Sequence, residues 1–257
     1  MVAFVATLAI GALPRARDRL RALGRPPLWY FLGGFRGAGL VLVSAAAAPE
    51  VGVALLTVAL VCGSTGGSLP VDAAGLGPAG RRPITPPRVA GVLLAVGATA
   101  LSALGARGDP DVLLLALALA GLGMSLQAAA NGQLARATGE PWAASLVNVT
   151  VGFAALGVVA LVTLATSALD GLPGNPLLYS GGLLGALVVV VGATAVQTLG
   201  VLQLGLAMVA GQMAGALIVD LVAPAAGEEV TATTVVGVLL TMVAVVISGR
   251  GQGARYP

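Results

Sequence analysis

Few side chains in this 257-residue sequence could do chemistry, and several of them are amides. In LQAAANGQLA, Gln127 and Asn131 stand four apart and share a face if the stretch is helical. Amides on one face can hydrogen-bond a neutral or cationic solute with no proton exchanged. Asn148 lies in the next apolar run, where it could meet them across a helix pair, whereas Gln133 lies nearer a loop. Gln212 and Ser64 are further hydrogen-bonding groups within apolar runs, and Arg36 is a lone guanidinium within another. Asp72 and Asp220 each end an AGQMAGALIVD-like stretch, and a carboxylate on a pathway could couple transport to protons.

Other chemistries are excluded by what the chain lacks. There is no His, and the one cysteine, Cys62, sits in an apolar run, so neither a metal site nor a disulfide framework is expected. No cofactor is expected either. GLGPAG at Gly75–Gly80 matches G-x-G-x-x-G in letters only, because it follows an apolar run and carries Pro78. GSTGGS at Gly63–Ser68 has no Lys and is no phosphate loop, so direct ATP drive is excluded for this polypeptide alone. No convincing catalytic pair remains, and the chain does not read as an enzyme.

The elements that must hold these residues lie in a bilayer. Charged residues are 9% and hydrophobic residues 58% of the chain, and mean hydropathy is +1.00. A soluble domain carries roughly 25% charged residues. Eight apolar runs are long enough to cross: Leu28–Ala48, Val51–Val71, Val89–Gly105, Val112–Ala130, Ala143–Leu164, Leu177–Val196, Leu199–Val222 and Val235–Ile247. Val2–Leu13 reads as the end of a ninth, and it has no basic region before it, so it is not a signal peptide. The basic residues are thirteen Arg with no Lys, set in short loops between apolar runs, which is a topology signal rather than a nucleic-acid face. Placing Arg15, Arg17, Arg19, Arg21 and Arg25 inside puts Arg81, Arg82, Arg88, Arg136, Arg250 and Arg255 inside as well. The C-terminus is then expected in the cytoplasm of a bacterial cell, with the chain in its inner membrane.

The chain also repeats itself. Gly33–Asp72 aligns with Gly181–Asp220 at a shift of 148 residues without a gap, and eighteen of the forty positions are identical. The match resumes at Gly91–Ser102 against Gly237–Ser248. The shift covers five crossings, an odd number, so the second copy is expected upside down relative to the first. Inverted repeats characterise secondary transporters whose halves rock about a midplane site. The expected fold is therefore an all-α integral membrane protein of two inverted five-helix repeats, the first lacking its first helix, with about nine spans. Residues 1–106 form the first repeat and 107–257 the second.

Each polar residue has a plainer reading beside the functional one. Gln127, Asn131 and Asn148 either face the solute or fasten helices to each other. Asp72 and Asp220 lie near an interface, where hydration or capping of the following turn is favoured over proton coupling. Arg36 has Leu184 as its mate, and it either snorkels to the cytoplasmic side or faces the path and favours an anionic group. Gly33-x-x-x-Gly37 and Gly181-x-x-x-Gly185 let helix backbones approach.

The stretches LQAAANGQLARATGEPWAASLVN, GGLLGA and AGQMAGALIVD, with GGFRGA, GSTGGSLPVD and GLGPAGRRPIT in the first half, resemble the YdcZ-type branch of the drug/metabolite transporter superfamily. That resemblance covers nearly the whole chain. It implies ten helices as two inverted five-helix units, related in plan to small multidrug resistance proteins, and it implies no particular substrate. The departure is the missing first helix. The expected function is a secondary transporter of small organic metabolites or drug-like solutes, an exporter working by alternating access. The alternative is a non-transporting membrane scaffold or partner subunit. The expected partners are a small-molecule solute and the lipid bilayer, with a homodimer allowed and nucleic acid excluded.

Overall fold

In a bilayer every backbone polar group must be satisfied within its own segment or a closed sheet, so an apolar chain of this kind folds into helices. The computed structural model describes residues 14–22, 24, 27–102, 112–166, 175, 180–222 and 232–250. Among them there is no strand. The α-helices are α1 (Pro14–Ala22), α2 (Leu32–Ala73), α3 (Pro86–Ser102), α4 (Val112–Thr138), α5 (Pro141–Thr166), α6 (Ser180–Val222) and α7 (Ala232–Arg250), with a 3-10 turn at Leu28–Phe31 before α2. Pro86 and Pro141 open α3 and α5, where a missing N–H costs nothing.

Four stretches are long and apolar enough to cross a membrane: Leu28–Ala47, Leu115–Thr138, Pro141–Thr163 and Leu184–Gly215. Pro86–Leu101 and Val235–Arg250 are shorter apolar helices, and Val2–Leu13 lies outside the described residues. Large apolar side chains such as Leu93, Leu115, Leu161, Val191 and Leu239 point outward, as a lipid-facing surface requires.

Two helices exceed the thickness of a bilayer. α2 has 42 residues and α6 has 43, and a straight helix of that length would reach about 63 Å. Neither is straight. Gly33 abuts Asn131, while Leu76, just past the far end of α2, accepts a hydrogen bond from Gln133, two residues further along α4. The first arm of α2 therefore runs antiparallel to α4, with Gly33 on Asn131 and Gly37 on Gln127. The second arm runs parallel to it, with Gly63 on Ala118 and Gly67 on Leu122. Between the arms, Ala47, Ala59 and Leu117 form one buried cluster. In α6 a Cβ on Gly192 would lie 3.9 Å from Leu204 Cδ2, against roughly 18 Å along a straight helix. Its turn is Gly200, at φ 78°, ψ 172°, backbone space open only to glycine. The runs read as Leu28–Ala48 with Val51–Val71, and Leu177–Val196 with Leu199–Val222, are thus the paired arms of two long, folded helices.

Small residues let these arms close on each other. Gly63 meets the Ala118 carbonyl, Gly121 the Leu60 carbonyl, and Gly34 the Asn148 carbonyl. α3 and α7 pack antiparallel, with Gly91 over Ser248 and Ala95 beside Ala244 in one buried cluster. Arg81, Arg82, Arg88 and Arg136 gather at one end of the bundle, each bonding a backbone carbonyl of that end: Ala73, Thr198, Pro83 and Pro78 respectively.

Candidate functional site

The arms of α2 and α6 and the face of α4 enclose a cavity of about 480 Å³, within the range of small-molecule sites. Its polar lining consists of Ser44, Thr57, Ser64, Ser68, Ser125, Gln127, Asn131 and Gln212, and the remainder is aliphatic, methionine or glycine. Six lining residues of α2 have the residue 148 positions later lining the same space: Leu40 and Val188, Ser44 and Gly192, Thr57 and Gly205, Leu60 and Met208, Val61 and Val209, Ser64 and Gln212. Of the residues singled out from sequence, Gln127, Asn131, Ser64 and Gln212 meet at this cavity.

Local geometry fixes how these groups are offered. Ser64 donates to the Val61 carbonyl at 3.3 Å, and Ser125 reaches across from α4 to the Ser64 carbonyl at 2.6 Å. Ser68 donates to the same carbonyl at 2.5 Å and lies 3.1 Å from the Ser125 hydroxyl. Gln127 and Gln212 have no hydrogen-bond partner among the described residues. Asn148 does not line the cavity. It lies buried behind Asn131 and donates its Nδ2 to Asn131 Oδ1 at 3.2 Å. Gly33 closes over this pair, since a Cβ there would stand 2.7 Å from Asn131 Oδ1 and 3.0 Å from Asn148 Nδ2. Gln133 is elsewhere, fastening the loop after α2 through Leu76.

Arg36 does not line the cavity either. It is partly buried, its Cβ faces Gly123 on α4, and its Nη1 is buried without a partner among the described residues.

Asp72 stands at the Arg-rich end and makes contacts the sequence did not reveal. Its carboxylate is ion-paired with Arg88, both almost wholly buried, and accepts the backbone N–H of Val201 at 2.8 Å and of Leu202 at 3.2 Å. Those are the first residues after the Gly200 turn, so Asp72 caps the second arm of α6 from outside that helix. Arg82 serves the other side of the turn, donating to the Thr198 carbonyl at 2.6 Å, where a cation complements a helix C-terminus. Burial pulls the Arg82 guanidinium below its ordinary pKa, Asp72 pulls it back up, and Arg88 presses it down. The Asp220 side chain lies outside the described residues.

Several site residues escaped sequence reading. Ser44, Thr57, Ser68 and Ser125 line the cavity, and only the four-residue step from Ser64 to Ser68 marks a shared face. Arg82 and Arg88 carried a signal, but as loop arginines they read as topology markers.

No curated protein and no solved structure matches the chain. A family model described as "Putative inner membrane exporter, YdcZ" matches residues 1–101 and 112–247, nearly the whole sequence. An uncharged cavity among folded apolar helices is in keeping with that description, and the chain belongs to the YdcZ family that the model describes.

Proposed function

We propose that this protein is a secondary transporter that carries small organic solutes outward by alternating access, with the cavity as its central site. The observation that carries the reading is the set of six residue pairs, 148 positions apart, that line one space. A site shared equally by two sequence-related halves is what a rocking mechanism needs. The antiparallel packing of α3 on α7, whose sequences are themselves mates, supports an inverted relation of the halves. The gap in the family match, residues 102–111, falls where the halves meet. In this reading the Arg-rich end faces the cytoplasm, and the Asp72–Arg88 pair with Arg82 latches the two halves at that end. Arg36 lies outside the cavity, so Arg36→Leu leaves transport intact.

The test is counterflow in proteoliposomes without ATP. Asn131→Ala and Gln212→Ala should each cut flux about tenfold, the worth of one well-made hydrogen bond. Wild-type flux in both variants would remove the cavity from the path. A reporter active only outside the cytoplasm, fused after Pro257, should be silent, and strong activity would reverse the topology.

A further inference from the structure

We infer that the cavity selects uncharged solutes bearing a hydrogen-bond acceptor, and that Asn148 sets this preference by holding Asn131 with its Nδ2 toward the solute. The inference rests on the transport reading above and names its substrate class. None of the 23 described lining residues is charged and none is aromatic. A cation entering would leave water for a site with no carboxylate and no ring face, and an anion for one with no guanidinium or ammonium. An uncharged solute avoids that cost.

The polar atoms decide what such a solute must offer. The Ser64, Ser68 and Ser125 hydroxyl protons go to backbone carbonyls. The Asn131 Oδ1 is taken by Asn148, which leaves the Asn131 Nδ2 as a donor without a partner among the described residues. Gly33 packs on the pair from the α2 side, and the hydrogen bond from Asn148 decides which Asn131 atom is left for the cavity. The Gln127 and Gln212 amides can donate or accept, so they suit either kind of solute, but only a solute carbonyl or ether oxygen satisfies the Asn131 donor. Asn148, out of reach of the solute, is a positioning residue.

The substitutions follow from the same geometry. Asn131→Asp keeps an acceptor for Asn148 and turns the atom facing the cavity into a second acceptor. Asn148→Asp should achieve the same by drawing the Asn131 Nδ2 toward itself, which presents Oδ1 to the cavity. The probes are N,N-diethylnicotinamide, which only accepts, nicotinamide, which also donates, and two charged controls, tetraphenylphosphonium and benzoate. Equilibrium binding to the purified full chain is read beside its thermal unfolding. The wild type should bind both amides and neither ion. In each variant the preference for N,N-diethylnicotinamide over nicotinamide should fall about tenfold, one hydrogen bond exchanged for an acceptor–acceptor clash. If Asn148→Asp fails to fold, Asn131→Asp alone decides the donor assignment, and Asn148→Leu, which frees the Asn131 amide to turn, should erase the preference. An unchanged ratio in folded variants overturns the assignment. Binding of a charged probe in place of the amides overturns the substrate class and leaves the transport reading standing. Binding of none of the four, with no flux, overturns the transport reading itself.

Discussion

The carboxylate of Asp72 caps a helix arm that starts 129 residues later, accepting the Val201 N–H at 2.8 Å while Arg88 holds its other oxygen. Removing one partner of a buried pair leaves a buried charge uncompensated, at a cost of roughly 3–5 kcal/mol. Asp72→Asn should therefore lower thermal stability in detergent sharply. Asp72→Asn with Arg88→Leu should recover part of the loss, because the stranded guanidinium is gone. An Asp72→Asn protein as stable as wild type would show that the pair does not hold the two arms.

Gly200→Ala attacks the same junction from the other side. At φ 78°, ψ 172° an alanine is strained by about 1–3 kcal/mol. Its Cβ would also stand 2.9 Å from Arg82 Nε, within the guanidinium that caps the Thr198 carbonyl. The expected outcome is a marked fall in melting temperature with loss of flux. Gly97→Ala, where nothing lies within 4 Å of the added carbon, serves as the control and should be neutral or slightly stabilising.

How much of this was legible in sequence varies with the physics involved. Apolar runs and glycine spacing mark the helix arms directly, because lipid demands apolar side chains and close packing demands small ones. The amides Gln127, Asn131 and Gln212 stood out because polar groups are rare in such runs, and they do meet at one cavity. The roles of Asp72 and Arg88 were not legible. Capping of the following turn was the local expectation for Asp72, and its bonds run instead to Val201 and Leu202. A contact across that distance depends on how the two folded helices nest, which no local pattern encodes. Proline and glutamate at Pro49 and Glu50 separate the two apolar runs in sequence, yet α2 is helical from Leu32 to Ala73 across them.

Gly33→Ala separates packing from binding. Its Cβ would press on both members of the Asn131–Asn148 pair, so the amide facing the cavity must shift. Flux should drop about tenfold or more through the lost hydrogen bond. Gly39→Ala, six residues along α2 in open space, should leave flux unchanged. Equal flux in both variants would detach the amide pair from transport.

Transport should be flat with pH from about pH 6 to about pH 8, a range in which an unperturbed carboxylate stays ionised and only histidine normally titrates. The chain has no His, and no titratable side chain lines the cavity among the described residues. Asp72 is committed to Arg88 and two backbone N–H groups, as a structural tie between α2 and the second arm of α6. An imposed proton gradient should therefore neither drive nor stall counterflow in the wild type. Asp220 is the acid this measurement leaves exposed to refutation. A flux that falls with pH in the wild type and becomes flat in Asp220→Asn would make Asp220 a coupling group and overturn the expected pH independence.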